Sequence, residues 1–244
     1  MLLRTLLIVS VFLINGLSYG QDLDFSNAVI IPHGNSERLQ KYATILHEEL
    51  TKRVEKTFPI QTKAKRTQSS ILLTQFEDIP SLPKNWRKLL NEVQPMPDEG
   101  FKVIIDNTST NPNAIIIGQD DRGLLFGIGH LLRKMNWAKD QLLLSKSIEK
   151  SSSPKSPIRG HQLGYRPKTN AYDAFTVDRF DQYIRELALF GSNSIEIMPP
   201  RTDDDFTSRH MTIPAIDMIG EQSRIANELD LDVWMWFPNM EDDY

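Results

Sequence analysis

Several short runs in this 244-residue chain carry side chains able to act on a polar substrate. Ile158-Arg159-Gly160-His161-Gln162-Leu163-Gly164-Tyr165-Arg166-Pro167 brings two guanidinium groups, an imidazole and a phenol into one span. A guanidinium offers a planar fork of donors to carboxylates or hydroxyls. His161 has an equally ordinary reading as a satisfied structural histidine. Glu196 sits inside Ser194-Ile195-Glu196-Ile197-Met198, where it shares parity with Ser194 and Met198 while Ile195 and Ile197 face the other way. A carboxylate in the middle of an apolar strand is costly unless paired. It either meets a ligand or serves as a buried partner of Arg159. Trp234 and Trp236 share one parity, and sugar rings stack on aromatic faces, though such a pair also suits a core. Trp236, nearer the end of its strand, is the better stacking candidate. Arg201, Asp203, Asp204 and Asp205 form an acidic loop. Its adjacent aspartates lack the alternating spacing of a calcium loop, so a solvated loop and no metal are expected.

A strand, a turn and a glycine-bearing helix in Asn113–Trp137 raise the question of a nucleotide site. The glycines there follow G-x-x-x-G-x-G, and no Gly-Lys-Ser/Thr comes after them. Neither the dinucleotide fingerprint nor the P-loop is matched, and no cofactor is expected. The chain is unremarkable in composition and mildly acidic, with net charge −4. That balance gives no electrostatic case for nucleic acid or an anionic membrane.

The elements that must position these residues are legible in order. Residues 1–20 read as a signal peptide, with Arg4 before the apolar run Leu6–Ile14 and small residues at Ser18 and Gly20. The apolar run is shorter than the roughly 20 residues of a membrane span. An exported protein, periplasmic or extracellular, is therefore expected, with no membrane contact after cleavage. No cysteine is present, so packing alone must hold the fold. Ala28–Pro32 predicts a strand, and Ser36 is expected to cap a helix running to about Lys56 with Leu39, Ala43, Leu46 and Leu50 on one face. Ile71–Leu73 and Gly100–Asn107 predict strands, and Glu77–Pro97 a loop with one helical turn near Trp86. The turn at Thr108–Pro112 suggests a hairpin into the buried strand Ala114–Ile117. Asp121 is expected to cap the helix that follows, with Leu124, Ile128, Leu131, Leu132 and Met135 as its apolar stripe. Gly123 and Gly127 would let that helix lie close to a sheet. The whole reads as a small mixed sheet with two helices on one face, an α+β domain over residues 21–145.

Ser145–Pro157, rich in Ser, Lys and Pro, reads as a linker, with the boundary at 146–157. Strand, helix, strand, helix, strand then follow: helices at Val177–Phe190 and Ile213–Leu229, strands at Asn193–Met198 and Asp230–Phe237. This is the opening of a (β/α)8 barrel, about three βα units over residues 158–244, although an open doubly wound sheet would share the pattern. The fold class is α/β overall. Such a barrel takes about 250 residues, so an incomplete barrel is expected here.

The run Ile115-Ile116-Ile117-Gly118-Gln119-Asp120-Asp121-Arg122-Gly123-Leu124-Leu125-Phe126-Gly127 resembles the end of the small domain that precedes the catalytic barrel in α-glucuronidases and bacterial β-hexosaminidases. Asp98-Glu99-Gly100-Phe101 fits the same domain, and the resemblance extends over 27–145. Arg159–Pro167 looks like the barrel start of these exported glycosidases. The resemblance implies a support domain without chemistry, and catalytic carboxylates on strands beyond the third, so no catalytic residue is carried over. It implies that Arg159 holds hydroxyls of a terminal sugar; an ion pair at the domain interface is the other reading. His161, Tyr165, Arg166, Glu196 and Trp236 are the further binding candidates. The expected partner is carbohydrate, a terminal uronic acid or amino sugar. The chain is expected to be the N-terminal part of a glycoside hydrolase and inactive alone. The alternative is a non-catalytic glycan- or partner-binding module completed by another chain.

Overall fold

The computed structural model describes residues 22–108, 110–146, 150–163, 174–197 and 212–235. Its first half is built on a five-stranded mixed sheet in the order β2-β3-β5-β4-β8. Strands β2 (Val29–His33), β3 (Ser70–Gln75) and β5 (Asn113–Gly118) run parallel. Strand β4 (Phe101–Asp106) joins β5 as an antiparallel hairpin, as the turn at 108–112 predicts. The apolar stretches of β3 and β5 are buried on both faces, which is why they read as unbroken hydrophobic runs. Helices α1 (Leu39–Val54) and α3 (Asp121–Lys134) cover one face with Leu46, Leu50, Leu124, Ile128 and Leu131. A 3₁₀ turn (Phe76–Ser81) and the short helix α2 (Lys84–Leu89) cover part of the other, through Leu82, Trp86 and Leu90. The small strands β1 (Leu23–Asp24), β6 (Asn136–Ala138) and β7 (Gln141–Leu144) make a separate antiparallel sheet. The predicted mixed sheet with two helices on one face is present.

Local differences from the sequence reading have simple causes. The cap of α3 is Asp120, whose Oδ1 accepts from the Gly123 amide at 2.8 Å, and not Asp121. Two adjacent aspartates offer the same chemistry, and the one with extended backbone at the turn takes the role. Ser36 does not cap α1 either: the helix begins at Leu39 after Arg38, and the Ser36 hydroxyl donates to Asp121 at 2.5 Å. Within the stretch read as a linker, Lys150–Ser152 forms strand β8 on the edge of the main sheet beside β4. An edge strand needs only backbone partners, so its polar composition gave no sign of it.

The second half is a parallel three-stranded sheet in the order β11-β10-β9. Its elements are β9 (Gly160–Gln162), α4 (Val177–Leu189), β10 (Ser194–Ile197), α5 (Ala215–Glu228) and β11 (Asp232–Met235). Both helices lie on one face, where Phe180, Ile184, Met218 and Ile225 close over Ile195 and Ile197. That apolar cluster is continuous with the core around α1 and α3. The closest crossing is at Gly129 of α3, where a Cβ would stand 1.8 Å from the Leu189 carbonyl oxygen. Gly127 lies instead against the sheet, at Ile116 and Phe101. Arg133 donates to the same Leu189 carbonyl and lies 4.9 Å from the centre of the Phe190 ring. Gly129→Ala should push α3 away from the end of α4, at the cost of about 1–3 kcal/mol typical of overpacking. Thermal melting should show a lower Tm and trypsin should cut faster between the two halves. Gly220→Ala, in α5 with nothing within 4 Å of the new methyl, should leave both unchanged.

Candidate functional site

The polar residues of the chain gather at two places around the second sheet. The first is the seam between the halves, centred on Glu99. Glu99 occupies left-handed backbone (φ 57°), and its amide donates to Asp120 Oδ2 at 2.7 Å. Its carboxylate accepts from Arg159 Nη2 at 2.5 Å, from Asn193 Nδ2 at 3.0 Å and from Arg122 Nη1 at 3.1 Å. Burial alone would raise its pKa, but these charge-assisted bonds outweigh that and hold it below the usual carboxylate range.

The Asp-Asp-Arg-Gly turn serves the same seam residue by residue. Asp120 caps α3 and holds the Glu99 amide. Asp121 accepts from Ser36 Oγ and, at 2.6 Å, from Gln75 Nε2. Arg122 crosses to the second half, donating to the Asp230 carbonyl at 2.6 Å and to Asp232 Oδ1 at 2.8 Å. Gly123 leaves space for the Gly100 carbonyl, which a Cβ would meet at 2.1 Å. Arg38, just before α1, reaches Asp230 at 3.3 Å, and Lys41 of α1 meets Glu228 of α5 at 2.5 Å. Burial, with Asp121 and Asp120 nearby, still pushes the Asp230 carboxyl above its usual range despite Arg38 and Arg122.

Arg159 therefore stands at the interface, the second of its two readings. Its Nε and Nη1 donate to the carbonyls of Gly191 and Ser156 at 2.8 Å each, and its plane lies over Phe126. It precedes β9, at the end of the sheet opposite the strand C-termini. Its partner is Glu99 and not Glu196. His161 is paired in register with Ile195, so it faces the helices, where its Nε2 meets Tyr183 Oη at 2.9 Å. Tyr165, Arg166 and Trp236, with the acidic loop at 201–205, lie outside the described residues.

The second place is the sheet face that bears no helix among the described residues. Register sets Gln162, Glu196 and Trp234 in one row across β9, β10 and β11. Gln162 is exposed, Glu196 half-buried and Trp234 54% exposed. Among the described residues no hydrogen bond or ion pair is formed by the Glu196 carboxylate. An acceptor, an amide and an aromatic face in a row can hold a hydroxylated ring by hydrogen bonding and stacking. The sequence reading did not single out Gln162, although its alternation with His161 places it on the opposite face. Trp234 was passed over for Trp236 because only position along the strand was weighed.

Comparison with known proteins agrees with the resemblance seen in the sequence. Residues 22–131 match the family model described as "Glycosyl hydrolase family 67 N-terminus". No curated protein matches the chain. Among solved structures, the Streptomyces plicatus N-acetyl-β-hexosaminidase in complex with Thio-NAglucal is similar at 14% identity and TM-score 0.60, over 90% of this chain and 43% of its own. The GH20 β-N-acetylhexosaminidase of Streptomyces coelicolor A3(2) is similar at 16% identity and TM-score 0.58, over 88% and 43%. The GH20 exo β-N-acetylglucosaminidase of Vibrio harveyi in complex with N-acetylglucosamine is similar at 12% identity and TM-score 0.54, over 88% and 33%. The chain thus spans less than half the length of each of these structures, and the likeness is one of fold. Residues 22–131 resemble the N-terminus of a glycosyl hydrolase family, and the solved structures share the fold of the chain.

The seam makes a quantitative prediction. Glu99→Gln removes the charge that both arginines share and should cost about 2–3 kcal/mol at pH 7, the scale of hydrogen bonds to charged groups. Because the folded pKa of Glu99 is depressed, its contribution is full above the unfolded value of about 4.3 and is lost as pH falls through the folded value. The shift of Asp230 has the opposite sign and is common to both proteins, so it cancels to first order. Urea unfolding at pH 7 and pH 3 should show the gap between wild type and Glu99→Gln closing in acid. A gap that stays constant would mean that the charge of Glu99 contributes nothing.

Proposed function

We propose that this chain is the N-terminal part of an exported glycoside hydrolase acting on the glycosidic bonds of a polysaccharide or glycoconjugate. In this reading residues 1–20 are a signal peptide, 21–145 a support domain, 146–157 the connection, and 158–244 the first three βα units of a (β/α)8 barrel. The observation that carries it is the match of residues 22–131 to the glycosyl hydrolase family 67 N-terminus, followed in the same chain by a parallel sheet with its helices on one face. Parallel strands with helices on a single face are the repeating unit of a barrel, whose other face is its interior. The fold likeness to hexosaminidases supports the same choice over an open doubly wound sheet.

The Gln162–Glu196–Trp234 row would then line the inside of the barrel, with Tyr165, Arg166 and Trp236 following at the strand ends where barrel enzymes keep their sites. These residues would bind a terminal uronic acid or amino sugar through stacking and hydroxyl contacts. Hydrolysis asks for two carboxylic functions across the scissile bond, or one with a substrate amide. Among the described residues, the acids of the open face are Glu196 and Asp232, and Asp232 is engaged by Arg122. In this reading the catalytic carboxylates lie on strands beyond the third, and residues 1–244 alone are inactive.

A second reading, a non-catalytic glycan- or partner-binding module completed by another chain, is favoured by the same open face, since among the described residues Trp234 is exposed and both outer strands have one unpaired edge. The two differ in what the coding DNA carries after the codon for Tyr244. Further βα units with paired carboxylates are expected, and unrelated sequence there would sink the hydrolase reading. The purified 244-residue protein should release no p-nitrophenol from β-N-acetylglucosaminide or glucuronide substrates; turnover of either would overturn its inactivity.

A further inference from the structure

The face of the main sheet opposite α1 and α3 holds a groove of about 950 Å³, lined only by residues of the first half. Its floor is apolar, from Ile31 of β2 and Leu72 of β3. One wall is the segment 62–68, and Trp86 of α2, half-buried among Leu82 and Leu90, stands in the other. The size is at the upper end of sites for small molecules, about 300–1,000 Å³, and suits several linked rings better than one.

The charge of this groove is opposite to that of the chain. Net charge overall is −4, yet Lys63, Lys65, Arg66 and Lys88 line the groove against one acid, Asp106. Asp106 is already engaged: its Oδ1 accepts from the Thr108 amide and hydroxyl at 3.0 and 2.7 Å, and its Oδ2 from Asn113 at 3.1 Å. The four cations are exposed, and none of them takes part in an ion pair among the described residues. Their charge is left for a ligand. A ligand that satisfies this wall must carry several negative charges, and one that satisfies Trp86 must carry a flat apolar face. Sugar rings bearing carboxylates have both. A nucleic acid strand fits less well, since its binding relies on a long cationic track that releases many counterions.

We propose that this groove is a second glycan site, which takes an acidic oligosaccharide with its carboxylates on Lys63, Lys65, Arg66 and Lys88 and a ring face on Trp86. The choice of a glycan over another polyanion rests on the glycosidase reading; the groove and its charge do not. The site lies wholly within the first half, so it holds the polymer at a distance from the open face of the second sheet.

Isothermal titration of the full 244-residue chain tests this with tetragalacturonate, its methyl ester, and a twelve-residue oligo-dT. Tetragalacturonate should bind and weaken as salt rises, while the uncharged ester should bind at least tenfold more weakly. The double variant Lys65→Glu/Arg66→Glu changes only exposed side chains and should lose binding tenfold or more with an unchanged circular dichroism spectrum and Tm. Glu196→Gln and Trp234→Ala, on the other sheet, should remove only a separate binding event at the open face and leave the salt-dependent event at the groove untouched. Absence of tetragalacturonate binding, equal binding of the ester, tighter binding of oligo-dT, or full binding by the charge-reversed variant would each overturn the proposal. Loss of the salt-dependent event in Trp234→Ala alone would move the site to the open face and leave the hydrolase reading standing.

Discussion

One carboxylate holds the two halves of this protein in register. Glu99 accepts from Arg159 and Asn193 of the second half and from Arg122 of the first, all within 3.1 Å. A half-buried acid with three donors is stable only while all three remain, because each would otherwise leave charge or polarity without a partner. Its backbone is fixed just as firmly. The left-handed conformation is held by Asp120, which caps the central helix with its other oxygen. Helix start, seam and second sheet therefore share a single short stretch of chain.

Helix α3 has correspondingly divided duties. Its apolar stripe packs on the sheet, its first turn reaches the second half through Arg122, and its glycines set three separate approaches: to Gly100, to Ile116 and to Leu189. Side chains at those positions would serve none of them. The polar side chains from Asp120 to Arg122 are each taken up in binding another part of the chain.

Much of this architecture was legible in the sequence because it depends on local pattern. The β-branched run at 114–117 and the stripe from Leu124 to Met135 announce a buried strand and its helix. The side of the sheet that Glu196 occupies follows from strand alternation alone. Other features depend on contacts between distant residues. The partner of Arg159 lies 60 positions away in a left-handed turn, and nothing in either neighbourhood marks the pair. Strand β8 hides in a polar stretch because edge pairing is a matter of backbone. The direction of His161 was open to the same parity argument as Glu196, since it alternates with Gln162 and faces the side of Ile195. The cationic groove joins residues 63–66 to Lys88 across two elements, and only the folded chain brings them together.

The placement of Glu99, Asp120 and Arg122 also has a consequence for the order of folding. All three precede the second half in the chain, and they belong to a sheet whose parallel core strands end at Gly118. N-terminal units generally fold first as a chain is delivered from one end. On such a route the receptor for Arg159 and Asn193 assembles before either residue arrives, and the later parallel strands meet a template that sets where the first of them must lie.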